Sequence, residues 1–289
     1  MATLPFVDTH VHYWDLQDPA LYYAWLQPEW IHPVLGDING IKVQRYSARE
    51  FIGETRFQDV AKVVHVQAAI GIDDPVEETK WLQAQADETG FPHGIVGHVD
   101  LAQSTAEGVI ARHLEYANFR GVRDFAAGEL IGNPAWRRGY GLLARDNLVF
   151  CIDTTWEAAD KVRGLADEHD SVILSIDHAG FPRARTDEYF ENWTRGMKTL
   201  AAAPNVVMKI SGLGMCDNRW TVASLRPWVL TCIEVFGIER SFFGSNWPVD
   251  SLYSSYGDVV DAYDAITADF TPDERTALFS ATAERIFRV

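Results

Sequence analysis

The chain has 289 residues, 47% of them hydrophobic and 23% charged. That balance excludes a disordered or fibrous protein and suits one domain of barrel size or two smaller ones. Its 41 acidic and 25 basic residues give a net charge of −16, which repels nucleic acid and anionic membranes and leaves a small molecule as the expected partner. Self-association stays open. No apolar run reaches the ~20 residues of a membrane helix. The stretch Met1-Ala2-Thr3-Leu4-Pro5 has no secretory pattern. Cys151, Cys216 and Cys232 form neither a disulfide framework nor a CxxC knot, so a cytoplasmic protein is expected.

The first apolar run, residues 6–7, leads into Asp8-Thr9-His10-Val11-His12. Residues 10–49 follow, rich in Trp, Tyr and Pro. They are too many for an ordinary strand-to-helix loop and are expected to fold over one end of the domain. Further runs lie at 60–66, 95–99, 121–123, 148–152, 172–176, 206–210 and 241–244. Most are dense in Val, Ile and Phe without polar alternation, as in strands buried on both faces of a parallel sheet. Helix-start chemistry sits between them: Asp74-Pro75-Val76-Glu77, a capping box at Ser104-Thr105-Ala106-Glu107, and a second box at Thr271-Pro272-Asp273-Glu274. The last opens an extra C-terminal helix. Its Leu278, Phe279, Ile286 and Phe287 share one side and are expected to pack on the outside of the domain. Eight such units predict an α/β fold, a (β/α)8 TIM barrel of one domain over residues 1–289, with the long loop after strand 1 over its mouth. An open doubly wound sheet would need a GxGxxG turn after strand 1, which is missing.

Barrel enzymes keep their sites at the C-terminal ends of the strands. His10 and His12 are two apart on one strand, so they face the same way. Either they share a divalent ion or a water, or they are surface histidines. His178 follows a buried run and precedes Gly180, which reads as a ligand or proton-transfer group, or as a satisfied core histidine. Asp177 should point the other way. Strand 8 ends in Gly244-Ser245-Asn246-Trp247-Pro248-Val249-Asp250, which is either a polar rim or a simple turn.

These residues, with Val66-Gln67-Ala68, Val96-Gly97-His98-Val99-Asp100-Leu101, Gly121-Val122-Arg123 and Lys209-Ile210-Ser211-Gly212-Leu213, resemble the amidohydrolase superfamily along essentially the whole chain. The nearest branch is that of TIM-barrel metal-dependent hydrolases containing sugar-acid lactonases and muconolactone-type hydrolases. The resemblance implies that His10, His12 and His178 bind metal or substrate, and that Arg123 contacts a substrate carboxylate unless it forms a structural pair with Asp153. Such barrels usually have Asp at the end of strand 8, and here Asn246 stands there. An amide cannot act as a base near neutral pH. The base must then be Asp250 or His178, and any metal, zinc foremost, would be a single ion held weakly by His10, His12 and His178. Catalysis without metal stays open. Arg123 also stands where a bridging lysine would support a binuclear centre.

Lys209 is either a cation at the mouth or a paired core lysine, while His65 and His98 read as packed or supporting histidines. Trp14, Tyr22, Tyr23, Trp25, Trp30 and Trp247 flank the mouth, as a substrate rim or as the loop's own packing. The expected activity is hydrolysis of a cyclic ester, a lactone of a sugar acid or of a small carboxylated ring. Trp14, Arg123, Lys209, Asn246 and Trp247 are expected to bind substrate. An aromatic-acid decarboxylase and a non-catalytic binding barrel are the alternatives.

Overall fold

The computed structural model describes residues 4–31 and 35–289. Eight strands form one sheet in chain order, each parallel to its neighbours. They are β1 (Phe6–Val11), β2 (Val60–Val66), β3 (Gly94–His98), β4 (Phe119–Arg123), β5 (Val149–Ile152), β6 (Leu174–Ile176), β7 (Val206–Ile210) and β8 (Ser241–Phe243). With helices between them they make the expected TIM barrel, nearly closed. A parallel bridge from Val11 to Trp247 joins the two ends of the sheet, and the His12 amide donates to the Trp247 carbonyl at 2.8 Å. Asp8 fixes the same seam. Its carboxylate accepts from the Ser245 amide at 2.8 Å and from the Tyr256 hydroxyl at 2.9 Å. Among the described residues no helix is long and apolar enough to cross a membrane.

The loop after β1 is held by its own aromatic residues. Trp14–Asp15 pairs antiparallel with Arg45–Tyr46, and the Trp14 ring lies 5.6 Å from Trp25 and 5.5 Å from Tyr46. Lys42 Nζ donates to the Gln27 and Trp30 carbonyls, both at 2.8 Å. The middle of this loop, residues 32–34, lies outside the described residues.

Two of the three helix starts behave as the sequence implies. The Asp74 carboxylate accepts from the Val76 amide, and the Thr271–Glu274 box closes in both directions. The box at Ser104 does not form. Thr105 is the N-cap, and its helical backbone (φ −86°, ψ −5°) keeps its hydroxyl from the third amide, while Glu107 pairs with Arg145 instead.

The C-terminal helix corrects a second expectation. Helix Pro272–Thr276 passes through a π turn at Ala277–Ala281 into Thr282–Phe287, so its two apolar pairs meet different layers. Phe279 packs against Phe6 and Phe243, but Ile286 and Phe287 join the barrel-interior cluster with Val7, Val64, Val149 and Val207. The Phe287 ring lies 5.7 Å from Phe242 and closes the floor of the barrel, where the small valines leave room. Phe287→Ala should therefore cost about 3–5 kcal/mol in urea unfolding. Phe57→Ala, at an 81% exposed position, should cost under about 0.5 kcal/mol. Equal effects would remove Phe287 from the floor.

Candidate active site

The barrel's upper layer is charged. Arg123, Cys151 and Ser175 lie in register on β4, β5 and β6, and Val207 pairs with Ser175 on β7. Cys151 and Val207 belong to the interior cluster, so this alternation also turns Lys209 inward. It carries Asp177, two residues beyond Ser175, to the interior as well, which corrects the expectation that Asp177 points away. Asp177 is fully buried, 2.9 Å from Lys209 Nζ and 3.7 Å from His10 Nδ1.

His178 reaches the mouth because β6 has ended and the backbone turns left-handed, with φ 55° at His178 and 53° at Ala179. Of six non-glycine residues with positive φ among those described, His178, Ala179, Phe181 and Asn246 cluster here. Such strain concentrates at functional sites. Gly212 is needed beside it, since a side chain there would collide with His178 Nδ1.

The histidine rings converge. His10 lies 4.9 Å from His12 and 4.4 Å from His178, centroid to centroid. Burial holds all three imidazoles in the neutral form, His12 and His178 at about 3 and His10 well below the ordinary value. Arg123 adds to this for His12, while Asp153, 3.5 Å from His178 Nε2, opposes it for His178. His12 Nδ1 lies 2.8 Å from the Val66 carbonyl, which can only accept, so Nδ1 carries the proton and Nε2 the lone pair. His178 Nδ1 meets the Ser211 hydroxyl at 3.1 Å.

One donor set suits a metal. His10, Asp177 and His178 each offer a ligand atom within 4.8 Å of the other two, and neither ring nitrogen of His10 has a hydrogen-bond partner among the described residues. Two neutral imidazoles and a carboxylate fit a single divalent ion. His12, expected as the third imidazole ligand, is not in this group.

A cavity of about 440 Å³ opens above the layer, and His12, Arg123, Asp153, His178 and Asn246 line it. Several expected site residues do not. Lys209 is a paired core lysine beneath it, fully buried against Asp177 and Cys151. Trp14 packs inside the loop and donates to the Val43 carbonyl, and Trp247 donates to Glu54. Asp250 stands behind Asn246, accepting from its amide at 2.6 Å and from the Gly214 amide at 3.1 Å. Arg123 lines the cavity and forms the pair with Asp153. Asp153 itself was legible by the signal that marks His178, a polar residue just past a buried run.

Neutral histidines and paired charges at the strand ends of a parallel barrel are the equipment of a barrel enzyme. The sequence profile of the amidohydrolase family matches residues 7–289, and the chain belongs to that family. It is similar to an uncharacterized protein, y4mH, of Sinorhizobium fredii, at 37% identity over the whole of both chains. It is also similar to an L-fucono-1,5-lactonase of Burkholderia ambifaria, at 27% identity over 98% of this chain and 95% of that protein. Its fold matches a zinc-bound amidohydrolase from Burkholderia multivorans with a TM-score of 0.84, at 24% identity and 99% coverage of each chain.

Burial raises the Asp250 carboxyl to about 7, against the hydrogen bonds from Asn246 and Gly214. Between about pH 4 and about 7 the folded chain then keeps a proton that the unfolded chain has released. Stability from this group falls as pH rises through that window, by on the order of 4 kcal/mol. Asp250→Asn should gain on the wild type between pH 5 and pH 8 in urea unfolding, whatever the constant cost of the lost acceptor. Parallel stability profiles would show that Asp250 titrates as an ordinary carboxylate.

Proposed function

We propose that the protein hydrolyses a lactone, a cyclic ester of a sugar acid or of a small carboxylated ring, by attack of water on the carbonyl. The reading is carried by the meeting in one cavity of a neutral imidazole of fixed tautomer, His12, and a guanidinium, Arg123. The L-fucono-1,5-lactonase relatives, at 27% and 26% identity, support it.

The chemistry follows from the donors available. His12 has spent its only N–H on Val66, so it cannot donate to a carbonyl oxygen. It can accept, and Nε2 takes the proton of the attacking water as the new C–O bond forms. The Val66 carbonyl fixes the ring and stabilises the imidazolium. Arg123, itself buried, faces the negative charge that grows on the carbonyl oxygen, where a fixed guanidinium interacts strongly with it. When the ring C–O bond breaks, His12 returns the proton to the leaving oxygen, giving the open hydroxy acid. Asp153 holds Arg123 in place and sets the His178 ring. A divalent ion, held by His10, Asp177 and His178, would supply Lewis-acid polarisation of the ester carbonyl. Neither Asp250 nor Asn246 takes a proton in this scheme.

A pH-indicator assay over a lactone panel tests the reading. His12→Ala should lower kcat by ~10²-fold or more while leaving the unfolding midpoint close to that of the wild type. Wild-type rates in this variant would remove His12 from the mechanism. Carbon dioxide release from aromatic acids, with no lactone turned over, would favour the decarboxylase. Elemental analysis of the purified protein and of His10→Ala addresses the ion separately. The metal content should fall in the variant, and equal content in both would place the ion elsewhere.

A further inference from the structure

We infer that Arg183 selects the substrate, and that the substrate is a planar, largely apolar lactone bearing one carboxylate rather than a polyhydroxylated sugar lactone. This rests on the lactonase reading above.

The first argument is the character of the wall. Trp25, Ile70, Phe125, Phe181, Met215 and Val249 supply much of the cavity lining. Several of the polar groups between them already hold one partner, and the few left open among the described residues, Gln67 Oε1, Arg123 Nε and Asp153 Oδ1, interrupt a mostly apolar wall. Gln67 donates to the Ala69 carbonyl at 2.8 Å, Asn246 to Asp250, and Arg123 to Asp153, while His12 is bound to Val66 and His178 to Ser211. A sugar lactone would bring several hydroxyls that exchange water for apolar surface, and each one left without a partner loses affinity. A flat unsaturated ring has no such requirement and packs well against aromatic faces.

The second argument is charge. Two guanidinium groups line the cavity. Arg123 is neutralised by Asp153. Arg183 has no carboxylate partner among the described residues, and its guanidinium carbon lies 5.1 Å from the centroid of the Phe181 ring, itself part of the wall. The aromatic face restrains the guanidinium while leaving its N–H edges free for a planar anion. On a chain of net charge −16, an uncompensated cation at the mouth is what draws an anionic substrate inward against the overall field.

Benzoate and benzamide, planar and not hydrolysable as lactones, separate the anion from the ring. In calorimetric titration, Arg183→Gln should raise the Kd of benzoate roughly tenfold, the scale of one charge-assisted contact at a partly exposed site. Benzamide should bind both forms alike, and Arg183→Lys should recover part of the loss. Turnover is then measured with 2-pyrone-5-carboxylate, its methyl ester and glucono-1,5-lactone. The wild type should prefer the carboxylated pyrone, and Arg183→Gln should raise its KM with kcat held and leave the methyl ester unchanged. Equal shifts for benzoate and benzamide, no shift for either, or a preference for glucono-1,5-lactone would overturn the inference. If the benzoate result holds and no lactone is turned over, the lactonase reading fails while anion selection by Arg183 stands.

Discussion

Four full charges are packed into the upper layer of the barrel, and their mutual compensation constrains everything around them. Asp177 answers Lys209, and Asp153 answers Arg123. The fully buried Lys209–Asp177 pair adds little net stability, but losing one partner costs about 3–5 kcal/mol because the other charge is stranded. The cost is smaller for Arg123–Asp153, where the Asp153 side chain is 32% exposed. The layer can therefore change only as a unit. Its electrostatic consequence reaches the histidines. With the acids committed to Lys209 and Arg123, little anionic charge is left over for an imidazolium, and burial keeps all three rings neutral. Neutral rings hold lone pairs, and lone pairs are what a metal ion or a proton-transfer step requires.

That layer needs a rigid frame, and the chain supplies it from both ends. At the floor, Phe287 fills the space left by small interior valines, and the Lys209 ammonium sits 5.4 Å above its ring. At the side, Asp8 ties β1 to the segment after β8 through Ser245 and to the outer helix through Tyr256. The same carboxylate accepts from the His10 amide at 3.2 Å, so the residue that closes the barrel also places the first histidine. One strand thus carries both closure and chemistry.

How much of this could be read from the sequence divides along physical lines. The eight strands were legible because burial on both faces leaves continuous apolar runs. The places of His12 and His178 on the cavity wall were legible because a polar residue just past such a run has few places to go except the mouth, whereas His10 lies within β1, fully buried. Asp177 was misread because alternation was counted back from His178, which lies past the strand in a left-handed turn. Counted forward from Ser175, it faces inward. Trp14, Trp247 and Lys209 failed for another reason. Periodicity gives the face of a side chain but not its depth, so a loop-packing tryptophan and a rim tryptophan look alike. The floor residue Phe287 was hidden because a π turn breaks the 3.6-residue count.

The substitution at the end of β8 shows how depth changes chemistry. An acid at position 246 would put a carboxylate on the cavity wall beside His12 and His178, where it could raise the affinity of either ring for a proton. Asn246 removes that charge from the wall. The nearest carboxylate is Asp250, one helical turn further on, and the Asn246 amide nitrogen donates to it across 2.6 Å. An amide between an acid and a cavity transmits position but no proton, since it has no second protonation state near neutral pH. Asp250 accordingly serves as an anchor for the Asn246 side chain and the Gly214 backbone. Any proton transfer at the mouth falls to a ring whose tautomer is already set, and the Val66 backbone carbonyl sets it for His12.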